Sequence, residues 1–148
     1  GGFLGLAVCK ALAKAGYNVR SFSRGVYPSL EKLGTKHFQG DICDYEALKK
    51  AADGCVAVVH TAAKAGVWGS WEDYERINVG GTQNCIKVIR DLGIKNLIYT
   101  SSPSVVFNGS SIEGGDEELT HSYRDLNYYQ RSKKLLSCWS LRRKKSIL

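Results

Sequence analysis

CVAVVHTAAKAGVWGSWEDYERINVGGTQNCIKVIRDLGIKNLIYTS, residues 55–101, is the stretch whose pattern decides the fold. Cys55 to His60 is a continuous apolar run entered through Gly54, and such a run suits a strand covered on both faces. Trp71 to Leu92 carries Tyr74, Asn78, Gly81, Cys85, Val88 and Leu92 at steps of three or four, so these residues form one stripe of a helix that Gly93 ends. Asn96 to Ser101 is the next strand. A strand, a long helical crossover and a second strand make a βαβ unit, whose strands pair in parallel.

The same alternation continues outward. Leu6, Cys9 and Leu12 predict a helix over Leu6 to Ala15, stopped by Gly16. Tyr17 to Ser23 alternates as a strand, and residues 36–39 read as a short one. Asp44 is placed to cap a helix running to Ala52. Residues 108–120 are rich in Gly, Ser and acids and read as a loop, and Asn127 to Leu141 as a helix. Strand and helix recurring every roughly 30–40 residues indicate an α/β domain with a parallel sheet between helices.

The composition fits. The chain has 148 residues, 43% hydrophobic and 24% charged, enough for one domain with one core. No apolar run reaches the roughly 18 residues of a spanning helix. The net charge of +7 is concentrated at one end, because seven Lys or Arg and no acid lie from Arg131 onward. Before that point the two signs balance at fourteen each. The excess therefore marks a basic tail, residues 135–148, and a solvated end is the plain expectation. Such a tail could also touch phosphates or an anionic membrane surface. Nucleic acid is not expected as a partner. Five cysteines with no CxxC and no Cys/His cluster predict reduced thiols, a cytoplasmic setting and no metal site.

Several short motifs carry chemistry. Gly2-Phe3-Leu4-Gly5 opens a helix, where bare backbone and unpaired N–H groups can receive a pyrophosphate. Ser23 and Arg24 stand where an acid that reads the ribose 2′-hydroxyl is expected. A cation there welcomes a 2′-phosphate, so the reading leans to NADP(H) over NAD(H). Asp41 and Ile42 follow a strand, and the Asp can accept a bond from an adenine amino group. Thr61, Ala62 and Ala63 are small residues after the most apolar strand and let backbone pass close to a flat cofactor. Next to them His60 is expected to be a packed or capping histidine. Asn78 interrupts an apolar stripe, so its amide is either a structural tie or part of a site.

Tyr129 and Lys133 are four apart on a predicted helix and share a face. A free phenol, with pKa about 10, is a poor base near neutrality, and a nearby ammonium favours its ionised form. Ser102, at a strand end, can donate to an oxygen on which charge develops. Together the three could pass a proton while a nicotinamide passes a hydride.

The segments GGFLG, GDICD, VVHTAAKAGVWGSWEDYERINVGGTQN, NLIYTSSPSVVFNG and NYYQRSK resemble the extended short-chain dehydrogenase/reductase superfamily. Within it they resemble the 3β-hydroxysteroid dehydrogenase/isomerase family, chiefly its sterol-4α-carboxylate 3-dehydrogenase-like branch and bacterial relatives. The resemblance covers roughly residues 1–134. It implies a Rossmann-type doubly wound sheet, here without the family's first strand and its C-terminal substrate lobe. It also implies bound NAD(P) and interconversion of a secondary alcohol and a ketone on a steroid-like or other hydrophobic small molecule. The family's catalytic Ser, Tyr and Lys fall on Ser102, with Ser101 as the adjacent alternative, Tyr129 and Lys133. Gly2 and Gly5 match the last two glycines of its nucleotide loop, Asp41 its adenine-contacting Asp, and Asn78 its helix Asn. A homodimer through helices of this domain is common in the family. The sequence LLSCWSLRRKKSIL after Lys134 departs from the family and is what a truncated or frame-shifted end would look like. The competing readings are an NAD(P)-binding regulator without turnover, an inactive fragment, and an NAD-dependent sugar-nucleotide epimerase or dehydratase.

Overall fold

The computed structural model describes residues 2–116 and 118–141, with side chains described through residue 137. Residues 142–148 of the basic tail lie outside the described residues.

Helix α1 (Phe3–Lys14) starts earlier than the apolar spacing indicates, because Gly2 already has an extended N-cap backbone. The N–H groups of Gly16 and Tyr17 bond back to Ala13 and Leu12, with Gly16 at φ +84°. That closure consumes the residues expected to begin the first strand, so β1 is only Arg20–Ser23. The short helix α2 (Pro28–Glu31), which the spacing did not reveal, buries Leu30 completely. Strand β2 is Lys36–Gln39. Helix α3 (Tyr45–Ala52) begins where Asp44 accepts a 3.0 Å bond from Ala47 N–H, as its capping role requires.

Strand β3 (Ala57–His60) starts late because Cys55 N–H bonds to Ala52 and closes a turn. Coverage on both faces is not what the described residues show. Val58 packs into the core, whereas Val56 and Ala57 are exposed. The crossover then runs through α4 (Trp71–Tyr74), a π turn (Glu75–Gly80) and α5 (Gly81–Asp91), and returns as β4 (Asn96–Tyr99). Ser70 Oγ caps α4, accepting from Asp73 N–H at 3.3 Å. Gly93, at φ +66°, ends α5. A 3-10 turn (Pro103–Val105) follows β4, and α6 (Tyr128–Leu141) follows the long loop.

β1 pairs with β2 in parallel, from Arg20↔Lys36 to Ser23↔Gln39. β3 pairs with β4 in parallel, from Ala57↔Asn96 to His60↔Tyr99. Among the described residues no ladder joins the two pairs, so the expected single sheet is present as two parallel halves. The core lies under the second pair, where Ala52, Cys85, Val88, Ile89 and Ile94 are buried against Leu48, Val58 and Leu97. Burying each larger apolar side chain there stabilises by roughly 1.5–3 kcal/mol. Gly81 permits a close approach, since a Cβ at that position would sit 2.6 Å from Ile42 Cγ2. No helix among the described residues is long and apolar enough to cross a membrane.

Candidate active site

The loops that leave the strands at their C-terminal ends converge, the usual ligand-binding edge of a parallel α/β sheet. A Cβ on Gly5 would touch Thr61 Oγ1 at 3.4 Å, so the start of α1 lies against the loop after β3. The loop after β2 is held to α5 by Asn84, whose Nδ2 donates to the carbonyls of Ile42 (3.3 Å) and Cys43 (2.9 Å).

The glycine-led start of α1 has no side-chain cap, and the space beside Gly2 is open. The first bond inside the helix is Leu6 N–H to Gly2, which leaves earlier N–H groups for an anion. Phe3 is almost fully exposed and Leu4 is exposed; their side chains carry no donor, so their backbone N–H groups are what can serve an anion. Asp41 Oδ1 accepts from Cys43 N–H at 2.9 Å. That bond, with smaller contributions from Arg24 and Arg76, holds the Asp41 carboxyl below its ordinary range. Arg24 is exposed beyond β1, while Ser23 Oγ donates to Gly25 at 3.1 Å. Ala62 and Ala63 are exposed, and Ile42 packs on Gly81. An uncapped helix start, the Asp41 carboxylate and the exposed Arg24 guanidinium fit a dinucleotide.

Helix α6 brings Tyr129 and Lys133 to the end of β4. Lys133 is 3% exposed, its Nζ donates to Thr100 at 2.9 Å, and it sits 5.0 Å from the centre of the Tyr99 ring. Burial pulls its ammonium below the ordinary lysine value. The Tyr99 hydroxyl is buried without a hydrogen-bond partner among the described residues. Burial pushes its pKa up, and the neighbouring Tyr129 phenol adds to that shift. Ser102 caps the 3-10 turn, and its Oγ accepts from Ser104 N–H (3.2 Å) and Ser104 Oγ–H (2.8 Å). Ser101 is instead bonded to Ser137 on α6 at 2.6 Å.

Asn78, 2% exposed, lies inside the π turn. Its Oδ1 accepts from Lys64 N–H at 2.7 Å, and its Nδ2 donates to the Lys64 carbonyl (3.1 Å) and Ser132 Oγ (2.8 Å). Both amide hydrogens are thus used within the protein. Of the two roles open to a buried amide on that stripe, the geometry is that of a tie, joining the loop after β3 to α6.

His60 is packed, as a lone histidine on a strand is expected to be. Thr82 Oγ1–H donates to Asn78 at 2.7 Å, so Oγ1 accepts from His60 Nε2–H at 2.8 Å. Burial first, and the Lys133 charge second, lower its pKa to about 4. An unfolded His60 takes its proton near pH 6.5, so acid favours the unfolded chain between those two values. The stability present above pH 6.5 is therefore lost as pH falls toward 4, by about 3 kcal/mol. Urea unfolding at pH 7 and pH 4.5 should show this slope, and His60→Gln should flatten it. An unchanged slope in the variant would assign the acid sensitivity elsewhere.

The model of the 3-beta hydroxysteroid dehydrogenase/isomerase family matches residues 1–137. The chain belongs to that family. A 2-alkyl-3-oxoalkanoate reductase of Shewanella oneidensis is 47% identical over 133 residues, covering 90% of this chain and 34% of that protein. The decarboxylating sterol-4-alpha-carboxylate 3-dehydrogenase of Mus musculus is 34% identical over 132 residues, covering 89% of this chain and 36% of that one. This chain thus spans about one third of the curated relatives it matches. Among solved structures, the UDP-glucose 4-epimerase of Brucella ovis in complex with NAD superposes with a TM-score of 0.79 at 30% identity. That superposition covers 95% of this chain and 44% of the epimerase, and it places the domain among Rossmann-type folds.

Within the 3-beta hydroxysteroid dehydrogenase/isomerase fold, sequence reasoning passed over four residues of this neighbourhood. They are Lys64, Ser104, Gln130 and Ser132. Lys64 forms a 2.7 Å ion pair with Asp73 in addition to its backbone bonds to Asn78. The other three are polar residues beside the named motifs. Burial distinguishes Gln130 and Ser132 from ordinary surface side chains, and its bonds to Ser102 distinguish Ser104.

Proposed function

We propose that this chain is the nucleotide-binding part of an NAD(P)-dependent oxidoreductase that interconverts a secondary alcohol and a ketone on a hydrophobic small molecule. The observation that carries the reading is the placement of Lys133, buried at the end of β4 one helical turn from Tyr129 and bonded to the residue two before Ser102. When bound, the nicotinamide supplies or accepts the hydride. The chain's own residues handle the proton and the oxygen. Tyr129 donates its phenolic proton to the oxygen of a ketone undergoing reduction, or takes the alcohol proton in the reverse direction. The Lys133 ammonium offsets charge left on the phenolate. Ser102 donates to the same oxygen as it becomes negative.

The names of the relatives favour a 3-oxo acid with alkyl chains or a sterol as the hydrophobic partner. Arg24 at the end of β1, a cation where an acid that reads the ribose 2′-hydroxyl is expected, favours NADPH. Titration of the chain with NADPH and NADH, followed by nicotinamide fluorescence, tests this. Arg24→Glu should weaken NADPH at least tenfold and change NADH little, as loss of a charge-assisted phosphate contact predicts. Absence of binding by either nucleotide would refute the dinucleotide reading, and equal effects on both would refute the preference.

A further inference from the structure

Gln130 follows Tyr129 on α6 and is 1% exposed. Its side-chain amide holds three backbone groups on two other segments. Nε2 donates to the carbonyls of Ser104 (2.7 Å) and Phe107 (2.6 Å), and Oε1 accepts from Leu126 N–H (2.8 Å). Its own N–H is taken by Asn127 Oδ1 at 2.8 Å, so the start of α6 is fixed in the same contact set. Ser104 lies in the 3-10 turn that Ser102 caps and Phe107 follows it, with Phe107 N–H donating to the Ser104 carbonyl at 3.1 Å.

Ser104 passes this constraint on. Its N–H and its hydroxyl both point at Ser102 Oγ, at 3.2 and 2.8 Å. A hydroxyl oxygen has two lone pairs and one proton. With both lone pairs occupied, the Ser102 hydroxyl has only its proton left for an outgoing bond. A chain of contacts therefore runs from the residue beside Tyr129, through Ser104, to the oxygen of Ser102.

We infer that Gln130 and Ser104 are positioning residues that hold the Ser102 hydroxyl, proton outward, at a fixed place relative to the Tyr129 phenol. The inference rests on the reading above, in which Ser102 and Tyr129 address one substrate oxygen. Two donors that converge on one atom must be registered closely, and a misplacement of about 1 Å can cost about a hundredfold in rate. The pairing also explains an amide at a site where an apolar side chain would pack more cheaply. Only a group with two N–H donors and an acceptor satisfies all three backbone partners.

The test uses the full chain with Gln130→Met, Ser104→Ala and Ser104→Thr, beside Ser102→Ala, with NADPH and a 2-alkyl-3-oxo acid. Gln130→Met keeps the volume and removes the bonds. It should lower kcat about 10- to 100-fold while cofactor Kd stays within about twofold. Ser104→Ala should lose about tenfold, and Ser104→Thr, which keeps the hydroxyl, should restore most of it. In parallel, Gln130→Met should speed amide exchange at Phe107 and Leu126 at least about tenfold, with Val88 and Ile89 in α5 unchanged. Full kcat in Gln130→Met, or a loss matched by faster exchange throughout α5, overturns the inference. If Ser102→Ala turns over as fast as the unaltered chain, the functional reading fails, whereas a chain that binds NADPH without turnover leaves the rates silent on Gln130. Amide exchange then decides alone, and unchanged rates at Phe107 and Leu126 overturn the inference.

Discussion

Replacing Tyr129 by Phe is expected to lower kcat for ketone reduction by about two to four orders of magnitude, the range for removal of a positioned general acid. The substitution takes away one oxygen and leaves the ring. Tyr129 lies on a helix whose burial and hydrogen bonds run through Gln130, Ser132 and Lys133, so the fold should persist. Nucleotide affinity should therefore stay within about threefold, and the loss should sit in kcat, as for a group used only in the transition state. Steady-state rates with both nucleotides, and binding measured separately, give the two numbers. A variant as fast as the parent would remove Tyr129 from the chemistry. Parallel losses of rate and nucleotide affinity would make it a binding residue instead.

Asn78→Leu is expected to produce the largest loss of stability. Leucine has the same number and branching of side-chain heavy atoms as asparagine but cannot hydrogen-bond. It would strand the Lys64 N–H and the Lys64 carbonyl and take a donor from Ser132 Oγ, which keeps its own bond to the Tyr129 carbonyl. A buried group left unpaired costs about 1–3 kcal/mol, so the loss should reach about 4 kcal/mol or more. At about 2–4 °C per kcal/mol for a chain of this size, the melting temperature should fall by about 10 °C. Ser132→Ala removes one of the three bonds and should cost far less. The double variant should cost less than the sum of the two, because the shared bond is lost only once. Urea unfolding of the three proteins measures this. A loss under about 1 kcal/mol for Asn78→Leu would mean that water or local rearrangement replaces the tie.

The sequence exposed some of this more readily than the rest. The crossover from β3 to β4 was legible because its stripe of Tyr74, Asn78, Gly81, Cys85 and Val88 is buried in the order the spacing requires. Strand starts were less legible. Tyr17 and Cys55 look like strand residues by type, but their N–H groups close the preceding helices. Burial of β3 was overestimated, since an apolar run does not say which faces find partners. Tyr129, Lys133 and Ser102 stood out because their chemistry is uncommon in combination. Gln130 and Ser104 did not, because a glutamine and a serine near a motif carry no signal until their bonds are seen. The π turn was equally hidden. It changes which carbonyl each N–H meets without breaking the apolar stripe.

That turn has a geometric consequence. A π turn holds one residue more than an α turn of the same function, so it acts as a phase shifter between α4 and α5. An α-helix advances about 100° per residue. Losing a single residue from 75–80 would rewind the segment and swing α4 about that far around its axis. Trp71 would leave the Arg131 guanidinium, now 4.1 Å from its ring. Tyr74 would turn away from the carbonyls of Gly66 and Trp68 that its hydroxyl reaches. The extra residue thus works like a tooth in a gear train, setting the angle at which the aromatic end of the crossover engages the helix bearing Tyr129.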